Sequence, residues 1–140
     1  MKNYNTCDLI PCFNLNKADR CANCVLARAV KSLPNGIETN LMALVTQVLD
    51  PAAEAYGEQI MVLQGFRCPN YFNRLNLPRQ NAYVTGEAID ITAGSLADNS
   101  KLADIIAKQA KFDQMVIHPD HLHITYHRAG GNRHEVIRKM

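Results

Sequence analysis

The sequence predicts an α+β domain: a small, mainly antiparallel sheet packed by helices. Three observations predict it. Helical stretches come first in the chain, short apolar runs of strand length follow, and one well-capped helix interrupts those runs. That order sets helices on one face of a sheet instead of between parallel strands. A length of 140 residues suits one domain with a hydrophobic core, so residues 1–140 are read as a single unit. Its first 30 residues form a cysteine-containing segment.

Residues 16–31 read as a helix, with Asn16 as a possible N-cap and Val25, Leu26, Ala29 and Val30 as apolar positions. Leu33-Pro34-Asn35-Gly36 breaks it. Thr39 or Asn40 then caps a second helix whose stripe is Leu41, Leu44, Val45, Val48 and Leu49. Pro51 starts a further helical turn, which Gly57 ends. Ile60 to Leu63 is a strand, and Asn70 to Leu75 holds one or two helical turns. The stretch from Asn76 to Ala82 is polar and loop-like. Ala88 to Ile91 is a second strand. Ser95 to Ala110 is a helix with Leu96, Leu102, Ile105 and Ile106 as apolar positions and Asp98 in its first turn. Phe112 to Ile117 and Leu122 to Tyr126 complete the strands.

Composition excludes several classes. Apolar residues are 47% and charged residues 20%, ordinary for a soluble globular chain. A net charge of +2 argues against nucleic acid as a partner. The locally basic tail from His127 to Lys139 reads as a solvated face. No segment reaches the roughly 18 apolar residues of a membrane span, which argues against membrane insertion. The N-terminus lacks a signal peptide's apolar region, so a cytoplasmic location is expected.

Four cysteines sit early: Cys7, Cys12, Cys21 and Cys24, the last two spaced C-x2-C. Four thiolates can hold a structural zinc, although the first pair is C-x4-C and buried free thiols are the commoner outcome in a reducing compartment. Cys68 reads as a buried thiol.

Two later segments carry the chemistry. Side chains alternate along a strand, so His121, His123 and Thr125 share a face. Asp90 lies near the end of its own strand. A catalytic zinc takes about three protein ligands and keeps one position open for water, and a nearby acid such as Asp120 or Glu87 would take the water's proton. Arg67 is suited to clamping a carboxylate or an oxyanion. Each residue also has a plain structural role open to it: a hydrogen-bonded histidine, an aspartate capping backbone, an arginine paired with a structural acid.

The segments Gln64-Gly65-Phe66-Arg67-Cys68-Pro69, Asn81 to Ile91, Phe112-Asp113-Gln114-Met115-Val116 and His121-Leu122-His123-Ile124-Thr125-Tyr126, in this order, resemble the zinc D-Ala-D-Ala carboxypeptidase family of peptidoglycan peptidases. The likeness is to its short C-terminal-domain type, often carried by phages and prophages, and covers roughly residues 13 to 140. The resemblance implies the Hedgehog/DD-peptidase fold, a zinc held by His, Asp and His, and a peptidoglycan stem peptide as partner. It places Asp90 and His123 as second and third ligands, Arg67 against substrate or transition state, and Asp120 where the family often has a general-base Glu. The first ligand position holds Tyr83 in place of His. A phenolate is a reluctant ligand, with a pKa near about 10. His121, which replaces an aromatic residue of the pattern, and His118 are further candidates for the third ligand.

Three functions compete. The first is a zinc peptidase of the carboxypeptidase or endolysin type, cutting D-amino-acid peptide bonds and reaching the cell wall after release. The second is a catalytically degenerate binding or phage structural protein, favoured by Tyr83. The third is a zinc-stapled adaptor built on the early cysteines, with the late histidines incidental.

Overall fold

The computed structural model describes residues 3–5, 9, 35–68, 71–72, 75–77 and 81–139. The 16–31 helix and the cysteines 7, 12, 21 and 24 lie outside the described residues.

Helix α1 spans Asn35–Leu44, a π-helical turn spans Val45–Leu49, and α2 spans Asp50–Tyr56. The sequence reading starts α1 at Thr39 or Asn40 and has Asn35-Gly36 end an earlier helix. Instead the first turn already includes Asn35 and Gly36, a position where glycine costs little because no upstream turn depends on it. The three pieces run as one helical segment. Pro51 has no N–H to offer the carbonyl four residues back, and that carbonyl, of Gln47, accepts from Lys111 N at 3.3 Å. The wider turn fits immediately before this interruption, with the Asp50 N–H reaching Val45 O. Gly57 closes α2 at φ 75°, its N–H on Ala53 O.

Five strands form one sheet: β1 Met61–Gln64, β2 Ala88–Thr92, β3 Gln114–Ile117, β4 Leu122–Thr125 and β5 Glu135–Arg138. Their order is β1-β2-β4-β3-β5. The first three pairings are antiparallel and β3–β5 is parallel, so the sheet is mainly antiparallel, as expected. Helix α3, Leu96–Gln109, links β2 to β3 and is capped by Ser95 Oγ accepting from Asp98 N at 3.1 Å. The tail is more than a solvated face. It holds β5, which pairs with β3 and is further tied by His134 N to Phe112 O, Glu135 N to Asp113 O and Lys139 N to Ile117 O.

The core explains the faces. Ile89, Ile91, Met115, Ile117, Leu122 and Ile124 project from one side of the sheet and pack with Leu44, Val48, Leu49, Leu102 and Ile106 of the helices. Asp90, His123 and Thr125 alternate with them and take the other side. Asn3 O accepts from Ile60 N and Leu9 O from Phe66 N, so the start of the chain runs beside β1. No helix among the described residues is long and apolar enough to cross a membrane.

Candidate functional site

Register brings the central residues abreast. On the sheet, Gln64 faces Asp90, Asp90 faces His123, and His123 faces Val116. The β1–β2 ladder is irregular between Val62 and Gln64, and that shift sets Gln64, instead of Leu63, opposite Asp90.

A tight loop delivers Tyr83 to this row. Asn81 Oδ1 accepts from the N–H groups of Tyr83 (3.0 Å) and Val84 (3.2 Å), and Glu87 N donates to Ala82 O at 2.8 Å. Gly86 ends the loop at φ 77°, where a Cβ would lie 2.7 Å from Ile37 O of α1. Only glycine meets both demands. The Tyr83 ring stacks on Phe72, centroids 5.8 Å apart.

The Tyr83 hydroxyl lies 2.8 and 2.9 Å from the two Asp90 carboxylate oxygens and 2.8 Å from His123 Nδ1. His123 Nδ1 is itself 2.8 Å from Asp90 Oδ1. Two protons satisfy the trio: the phenol donates to Asp90, and a ring N–H at Nδ1 does the same. Burial and then the charge of Asp90 push the Tyr83 pKa far above its ordinary value, against a smaller opposing pull from a Gln64 hydrogen bond. The hydroxyl is therefore firmly protonated.

The other expected residues lie elsewhere. Arg67 is fully buried; its Nε donates to Gln64 Oε1 at 3.0 Å and its guanidinium sits 4.0 Å over the Tyr71 ring. Asp120 is 86% exposed and accepts from His121 Nδ1 at 2.7 Å, an interaction that lowers its pKa. His121 also stacks on His118 across the β3–β4 hairpin, centroids 4.4 Å apart. The pKa of His118 is held down by burial first, then by His121, His123 and Lys139. Cys68 is buried, as read.

The sequence reading missed a second polar group. Glu87 Oε2 accepts from His127 Nδ1 at 2.7 Å, and His127 Nε2 reaches Asp113 Oδ2 at 3.3 Å. Arg133 grips Asp113 with Nε and Nη2, both at 3.0 Å, and with its backbone N–H at 3.1 Å. Asp113 and Arg133 flank β3 and β5, and that adjacency was the only signal for the pair. The Arg133 bonds lower the Asp113 carboxyl to about 2, and the Glu87 bond raises His127. Glu87, one of the expected proton acceptors, is thus committed to His127 and to Thr85 Oγ1.

This architecture agrees with a comparison of the chain with known families. The family described as Peptidase M15 matches residues 16–125, and the chain belongs to that peptidase family. No curated protein matches the chain.

The family is typically zinc-dependent, so the donor set requires a test. Asp90 and His123 are suitable ligands. Tyr83 is not: its phenol keeps its proton and spends it on Asp90. Zinc bonds of about 2.0–2.2 Å would require that proton and the Nδ1 proton to leave. Among the described residues no three His, Cys, Asp or Glu side chains group to hold a metal ion. The residues present do not fit zinc at this position.

Proposed function

We propose that the chain recognises the D-amino-acid stem peptide of peptidoglycan on its open sheet face and does not hydrolyse it through zinc. Family membership supports the peptidase-like role and the substrate class. The observation that carries the reading is the Tyr83 hydroxyl, bonded at once to both Asp90 oxygens and to His123 Nδ1. Asp90 and His123 are the two side chains of this trio suited to hold a metal. The phenol proton is spent on Asp90, the first of them. Arg67 is fully buried, with its guanidinium over the Tyr71 ring and its Nε on Gln64, so it supports the protein's own side chains.

The test combines metal content, binding and cleavage. Protein purified in the presence of zinc is expected to hold substoichiometric metal, to bind a stem pentapeptide ending in D-Ala-D-Ala by calorimetry, and to release no D-alanine. Stoichiometric zinc that disappears in Asp90→Ala, with D-alanine release, would establish zinc-dependent hydrolysis and end this reading. Metal that survives Asp90→Ala and His123→Ala but not Cys21→Ala would favour the adaptor.

A further inference from the structure

We propose that two copies of this chain pair through the outer edge of β5, antiparallel about a two-fold axis at Ile137, and join their sheets into one. The inference is independent of the reading of the Tyr83 site.

β1 and β5 are the outer strands of the sheet. The chain's start runs beside β1, where Asn3 O and Leu9 O accept from Ile60 N and Phe66 N. Among the described residues no strand lies outside β5, and Glu135, Val136, Arg138 and Lys139 are exposed, Val136 by 43%. The main chain fixes which groups face out. Glu135 N donates to Asp113 O and Lys139 N to Ile117 O, so residues 135, 137 and 139 turn their main-chain groups toward β3. Val136 and Arg138 alternate with them and turn theirs outward. Such an edge is a template for another strand.

The edge is complementary to itself. With the axis at Ile137, Val136 of each copy faces Arg138 of the other, and each of these two pairs exchanges its outward main-chain bonds. Ile137 then meets Ile137, and Glu135 meets Lys139 at both ends of the ladder. These are the non-hydrogen-bonded pairs, where opposite side chains come closest, and each Glu–Lys pair joins opposite charges. Glu135 keeps its neighbours within the chain, Gln114 Nε2 at 2.6 Å and Arg133 Nη1 at 3.9 Å. An axis at Val136 fails: it needs outward groups from His134, whose N–H is spent on Phe112 O and whose φ is 55°. A strand of another sequence would have to bring an acid opposite Lys139 and a base opposite Glu135, and this chain supplies both. A ladder over residues 135–139 is smaller than the roughly 1,200 Å² of a stable interface, so the dimer is weak and concentration-dependent.

Sedimentation of the full chain from micromolar to millimolar concentration should show a reversible, saturable monomer–dimer equilibrium. Lys139→Glu sets like charges opposite each other at both ends of the ladder. It should weaken the dimer about 10-fold, even though it brings the net charge from +2 to zero. Adding Glu135→Lys should restore the affinity. Both side chains are exposed, so these variants should fold, and unchanged Tm checks that they do. Ile137→Cys tests the register. Opposite residues of a non-hydrogen-bonded pair have Cα atoms about 4.5 Å apart, within disulfide reach. Mild oxidation should therefore link two copies through position 137, and peptide mapping separates that link from any through the native cysteines. Val136→Cys, a diagonal away from its own copy, should not link. A monomer at millimolar concentration overturns the proposal and shows that the basic edge blocks pairing. Assembly that grows beyond the dimer, a dimer indifferent to Lys139→Glu, or equal linking through 136 and 137 overturns it as well.

Discussion

Tyr83 decides the chemistry because of where its oxygen falls. Strand alternation already sets His123 and Thr125 on one face, and the sheet register adds Asp90 to it. What alternation does not give is reach. A phenol extends further than an imidazole, so the Tyr83 oxygen arrives between the acid and the ring, where an imidazole would stop short as a third corner. The partners of Asp120 and Glu87 were not read either: Asp120 is taken by its own sequence neighbour His121, and Glu87 by His127, which the fold brings to it. Tyr83→Phe keeps the stacking on Phe72 and removes only the hydroxyl. It should destabilise the chain by about 1–2 kcal/mol, because the partly buried Asp90 carboxylate loses one of its two donors. Urea unfolding of the two proteins measures this, and identical midpoints would mean that the hydroxyl is not engaged.

Among the elements, those with strong local signals were legible and those held by distant backbone were not. Helix α3 is announced by Ser95 and its apolar stripe, and Gly57 marks the end of α2. Strand β5 gives no such pattern: Glu135, Val136 and Arg138 are exposed, and its place comes from main-chain bonds and the Arg133 grip on Asp113. The approach of the chain's start to β1 is likewise unreadable, yet it constrains one residue tightly. A Cβ on Gly65 would lie 2.2 Å from Leu9 O, a backbone atom unable to swing aside. Gly65→Ala should therefore push Leu9 away from the end of β1, at a cost of about 1–3 kcal/mol. The amide of Phe66, which donates to Leu9 O, should exchange faster with solvent. Unchanged protection there would show that the two segments part without cost.

For the whole molecule, the ends of four strands meet in one charged group. Glu87 precedes β2, His127 follows β4, and Asp113 and Arg133 precede β3 and β5. The fold class was legible because the order of helices and strands is a long-range pattern. This group was not, because its members are scattered over nearly fifty residues and only the sheet unites them. It makes stability depend on pH from two sides. Asp113 titrates at about 2 in the folded chain and at about 3.9 unfolded. Its contribution is present above the unfolded value and is lost as pH falls from about 4 through about 2, a loss of roughly 2 kcal/mol. His127 titrates above its unfolded value of about 6.5, so its contribution is full below that pH and fades as pH rises through the folded pKa. At 37% exposed, His127 is screened by solvent, and its effect is the smaller one. His118, whose pKa is lowered by burial, works in the opposite direction near neutrality. The informative measurement is therefore a difference between variants. Melting curves of wild type, Asp113→Asn and His127→Gln should be collected from acid to mildly alkaline pH. Asp113→Asn should flatten the acid limb. His127→Gln should remove a decline on the alkaline side and leave the acid limb largely in place. If His127→Gln leaves the alkaline limb unchanged, the histidine does not bridge Glu87 and Asp113 in its charged form.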